Sequence, residues 1–75
     1  MTDEEQLIVH FLKGSPDMFF ARREIARKAV KRTIYEENPR WADGPLASLL
    51  DKRIIETNDS GHVRLNTGDE HRRPG

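Results

Sequence analysis

The chain has 75 residues, 35% of them hydrophobic, and no cysteine. A chain this short buries only about 60% of its surface, so it supports one small domain with a modest core, and neither a disulfide framework nor a thiolate metal site is available. Its charge balances to net zero, which excludes a polycation that coats nucleic acid along its whole length.

The charge is nevertheless unevenly placed. Residues 1–21 carry −3, residues 22–32 carry +5 (six cations against Glu24), and residues 33–75 carry −2. No apolar run approaches the roughly 20 residues needed to span a bilayer. The acidic start MTDEEQ is unlike a signal peptide or presequence. With cysteine absent, a cytoplasmic location and no membrane partner are expected.

The first helix is expected from about Asp3 to Lys13. Thr2 followed by Glu5 reads as a capping box. Leu7, Ile8, Phe11 and Leu12 form its apolar stripe, and Gly14 is expected to end it in a left-handed conformation. Ser15-Pro16-Asp17 is turn chemistry. Met18-Phe19-Phe20-Ala21 is too brief for a helix and reads as a short strand.

A second helix is expected from Arg22–Glu24 to about Glu36. Ile25, Ala26, Ala29, Val30, Thr33 and Ile34 would share its inner face, with Glu24, Arg27, Lys28, Lys31 and Tyr35 opposite. Asn38-Pro39 ends it, because a residue before proline avoids the helical region. Asp43 is a plausible N-cap for a third helix over about Gly44–Lys52, and Pro45 fits its first turn. Leu46, Leu49 and Leu50 mark the face of that helix. The period then switches to two: Ile55 and Thr57 alternate with Glu56, and after Asp59-Ser60-Gly61, Val63 and Leu65 alternate with His62 and Arg64. A hairpin with strands near 54–58 and 62–66 is expected. Residues 67–75 are polar and aperiodic and read as a disordered tail, leaving 1–66 as the domain.

The order helix, short strand, helix, helix, hairpin resembles the winged helix-turn-helix superfamily over residues 3–66. The residues that carry the likeness are Leu46, Leu49, Leu50, Ile54, Ile55, Gly61, Val63 and Leu65. The resemblance implies an α+β fold with three helices, a short strand that pairs with the hairpin, and the hairpin as the wing. It also implies DNA as partner, with the third helix in the major groove. Two features depart from the pattern. Arg53 stands where such domains often place a glycine, and the connection from Glu36 to Gly44 is long and holds the only tryptophan.

The residues qualify that expectation. The outward face of the third helix offers Gly44, Ala47, Ser48, Asp51 and Lys52, few of which match base edges. The basic face of the second helix suits a phosphate backbone better. Arg27 and Lys31 are like charges four apart, a repulsion that an anionic partner would relieve. The hairpin tip, Asn58-Asp59-Ser60-Gly61, is acidic to neutral. Nucleic-acid binding of low intrinsic specificity is therefore expected through Arg23, Arg27, Lys28 and Lys31, with Ser48, Lys52 and Arg64 adding contacts. The rival is a protein-interaction module that docks through the third helix or through Trp41 and Tyr35. Trp41 itself is expected to be buried between the second and third helices.

His10, His62 and His71 have no metal-ligand spacing. There is no glycine-rich phosphate loop and no nucleophile beside a base. Neither an enzyme, nor a cofactor, nor a small-molecule ligand is expected.

Overall fold

The computed structural model describes residues 1–66; the expected tail, 67–75, lies outside the described residues. The fold is α+β. Its elements are α1 (Asp3–Lys13), α2 (Arg22–Lys28), α3 (Arg32–Glu37), α4 (Asp43–Asp51), β1 (Ile55–Thr57) and β2 (Val63–Leu65).

α1 begins as its sequence dictates. The Glu5 amide donates to Thr2 Oγ1 at 3.1 Å and the Thr2 amide donates to Glu5 Oε1 at 2.7 Å, which closes the capping box. Ile8 and Leu12 enter the core and Phe11 is half-buried, but Leu7 stays 41% exposed, so the inner stripe is narrower than expected. Gly14 is right-handed (φ −68°), contrary to expectation. The Gly14 and Ser15 amides bond to the Phe11 and Leu12 carbonyls, so the last turn simply tightens.

The expected strand over 18–21 shrinks to one residue. Phe20 exchanges two 2.8 Å backbone hydrogen bonds with Val63, while the regular sheet has two strands. The chain has no room for more: a turn returns the Met18 amide to Ser15, and Ala21 already caps α2. The Phe20 ring packs on Phe11 with centroids 5.0 Å apart.

The single helix expected over 22–36 is two helices. Lys31 is extended (φ −67°, ψ 152°) and heads α3. In a continuous helix the Ala26 carbonyl would accept from the Val30 amide. Here it accepts from Trp41 Nε1 at 2.8 Å, a bond from 15 residues away. The break also re-aims the side chains. Thr33 and Ile34 face solvent, and Tyr35, expected outward, packs half-buried against the core.

Asn38, before Pro39, leaves the helical region and ends α3 as expected. Trp41 is 8% exposed. Its ring lies in the core and its N–H bonds to the Ala26 carbonyl of α2, so it is not the surface anchor of the rival reading. Asp43 is the first residue of α4, after Ala42, and it makes no capping bond. It sits 3.7 Å from Arg40 instead.

α4 closes by a Schellman arrangement. The Ile54 amide reaches the Leu49 carbonyl and the Arg53 amide reaches that of Leu50, both at 3.0 Å. Arg53 takes the left-handed conformation (φ 63°) that glycine normally supplies. β1 and β2 then pair antiparallel, with Ile55 opposite Leu65, Glu56 opposite Arg64 and Thr57 opposite Val63. Asn58 Oδ1 accepts from the Ser60 and His62 amides, and Gly61 supplies the turn's positive φ of 82°. Ile8, Leu12, Ile25, Leu46, Leu49, Ile55 and Val63 form the fully buried centre.

Candidate nucleic-acid interface

The segment 22–32 places its cations outward because Ile25 and Ala26 are the residues α2 buries. Arg22, Arg23, Arg27, Lys28, Lys31 and Arg32 are all exposed. Two of them are held locally. Lys28 Nζ bonds to Glu24 at 2.9 Å, and that bond, with the Lys28 charge, holds the Glu24 carboxyl below its ordinary pKa. Arg32 lies 3.2 Å from Glu36. Among the described residues, Arg22, Arg23, Arg27 and Lys31 make no ion pair.

Tyr35 organises this surface. It lines one concavity of about 480 Å³ with Arg22, Arg23, Arg40 and Asp43, and a second of about 460 Å³ with Arg27, Arg32 and Glu36. One half-buried ring thus borders two hollows, each lined by at least two arginines and one acid already paired with an arginine. Arg22 and Arg40 join the cluster through the fold. Sequence spacing gave no sign of Arg40, which lies beyond the α3 turn.

The other expected contacts are engaged inside the molecule. Lys52 Nζ lies 3.3 Å from Glu5 Oε2. Glu5 is a carboxylate only 2% exposed. The Ser48 hydroxyl, then the Thr2 amide and then Lys52, hold its pKa down at about 2 against a desolvation that pushes upward. Ser48 and Lys52 therefore face α1. Arg64 bonds to Glu56 across the strands and covers the Phe19 ring, its guanidinium carbon 4.4 Å from the centroid. What α4 leaves outward is Asp43, Gly44, Ala47 and Asp51, together with the partly engaged Lys52, and none of these is a base-reading fork. Glu5 was legible only as half of a capping box; nothing local signals its partners 43 and 47 residues on.

Among the described residues, no helix is long and apolar enough to cross a membrane, and no cluster of His, Asp or Glu could hold a metal ion. Comparison of the chain with protein-family models, with curated proteins and with solved structures finds no match.

Proposed function

We propose that this domain is a winged-helix module that binds duplex nucleic acid through its phosphates, with low sequence specificity and no catalytic role of its own. The observation that carries this reading is the group Arg22, Arg23 and Arg27 on one helix, without an ion pair among the described residues, beside the half-buried Tyr35. Unpaired guanidinium groups match phosphate geometry. Each phosphate they neutralise releases counterions, which drives association. The winged-helix part of the reading rests on element order: α1, a one-residue bridge at Phe20, α2, then α4 running into the β1–β2 hairpin with Phe20 beside β2. In this reading α3 is an addition between the two helices of the motif, the hairpin is the wing, and α4 packs near the groove without reading bases. A cytoplasmic location goes with it.

The test is titration with a random-sequence duplex across a salt series. The expected result is binding at low salt that weakens steeply as salt rises. Replacing Arg22, Arg23 and Arg27 together by glutamine should flatten the log–log slope by roughly two to three units. Absence of binding near millimolar duplex at low salt would overturn the proposal.

One observation favours a protein partner instead. Leu7 and Ile34 are 41% and 46% exposed and share a concavity with Ala29 and Val30. That apolar surface is separate from the arginine-lined hollows. Trp41 takes no part in it.

A further inference from the structure

We propose that α1 and the α2–α3 elbow form the interface of a twofold-symmetric homodimer, centred on Leu7 and Ile34. The first reason is α3 itself. It has six residues and buries none of them. A helix so short is marginal in water without packing; Tyr35 alone holds its side against the core, while its one aliphatic side chain, Ile34, is 46% exposed. Leu7 of α1 stands across from it. The two line a shallow concavity of about 480 Å³ with Ala29, Val30 and Lys31.

The second reason is the charge on the rim. Leu7 also lines a neighbouring hollow of about 410 Å³, with Asp3, Gln6 and His10. The apolar centre therefore has the Asp3 carboxylate beside it at the start of α1 and the Lys31 ammonium beside it on the elbow. An isologous interface must be self-complementary, since each patch meets its own copy. A twofold axis passing near Leu7 does this: Asp3 meets the partner's Lys31, and Lys31 meets the partner's Asp3. The apolar residues meet in the middle behind a polar rim. A patch of uniform charge would repel its copy; this one attracts it. Arg22 and Arg23 line a different concavity and stay outside the interface.

The test is sedimentation of the full chain from micromolar to millimolar, with circular dichroism to confirm folding. The mass should move from monomer toward dimer as concentration rises. Ile34→Glu should weaken the dimer more than about thirtyfold, as for a central apolar anchor. Asp3→Lys and Lys31→Glu should each weaken it about five- to tenfold, because each turns two attractions into repulsions. Mixed one to one, these two variants should recover the dimer, since every contact in the mixed pair is again between opposite charges. The charge pair keeps the test decisive if Ile34→Glu fails to fold. A chain that is monomeric at millimolar concentration would overturn the proposal. So would a dimer indifferent to all three substitutions, or a mixture that fails to recover.

Discussion

At the end of α4 and on the hairpin two long cations are engaged within the molecule, with Arg53 left exposed: Lys52 reaches the buried Glu5, and Arg64 lies on Phe19 and bonds to Glu56. On α2, Glu24, the one acid within the segment 22–32, is taken by Lys28, and Arg22, Arg23 and Arg27 make no ion pair among the described residues. The difference lies in what the fold brings opposite each cation. α1 packs against α4 and delivers Glu5 to Lys52, while the antiparallel register sets Glu56 against Arg64. Asp43 and Glu36 line the hollows beside Arg22, Arg23 and Arg27, but they pair with Arg40 and Arg32, and among the described residues no carboxylate forms an ion pair with these three arginines. Charge in a sequence thus divides into a part that holds the molecule together and a part left for partners, and only tertiary placement separates the two.

The comparison breaks most visibly at Trp41, the inward polar link of the region 22–42. Trp41→Ala should cost about 3–5 kcal/mol in denaturant unfolding, through lost burial and the cavity left in the core. Trp41→Phe should keep most of the packing and cost about 1 kcal/mol for the lost bond to Ala26. A Trp41→Ala protein of unchanged stability would mean that this ring neither fills the core nor holds the Ala26 carbonyl.

The inward set is tested by acid. Glu5 titrates at about 2 in the folded protein against an ordinary value of 4.5. The unfolded chain therefore binds the extra proton between these values, so stability falls as pH falls through that window. The contribution is fully present above about pH 4.5 and gone below about pH 2. Glu5→Gln should melt below the parent protein at pH 7, and the gap should close as pH approaches 2. Melting curves that stay parallel across the range would show that Glu5 is not held by Ser48, Thr2 and Lys52.

A smaller effect of opposite sign is expected at Arg53, whose left-handed backbone costs an ordinary residue roughly 1 kcal/mol or more. Arg53→Gly should therefore stabilise the domain by about 0.5–1 kcal/mol in denaturant unfolding, after allowing for the greater freedom of glycine in the unfolded chain. A loss of stability would mean that the arginine side chain contributes more than its backbone costs.

What was legible in the sequence was local. The capping box of Thr2 and Glu5, the leucine face of α4, the hairpin with Gly61 at its turn and the stop at Pro39 each depend on residues within a few positions. The break between α2 and α3 was not legible, because a carbonyl at Ala26 is taken by an indole 15 residues away. The helical period of Ile25, Ala26, Ala29, Val30, Thr33 and Ile34 is real, but tertiary bonding overrides it. The site was legible to the same degree. Arg23, Arg27 and Lys28 are exposed as their helical positions require, while Lys31 is exposed at the extended break between α2 and α3, outside the helix that was expected to carry it. Ser48, Lys52 and Arg64 face carboxylates or an aromatic ring that no local pattern announces, and Arg40 joins the cluster only through the turn after α3.

The smallest stability effect and the most direct measurement coincide. Two glutamine variants, one at Arg22, Arg23 and Arg27 and the other at Lys52 and Arg64, should be compared side by side for unfolding and for the salt dependence of duplex binding. The first should unfold within about 0.5 kcal/mol of the parent while its log–log binding slope flattens by roughly two to three units. The second should lose stability and keep the parent's slope. If instead the α2 variant bound duplex with an unchanged slope, or the Lys52 and Arg64 variant lost the slope without losing stability, the division between outward and inward cations would be contradicted.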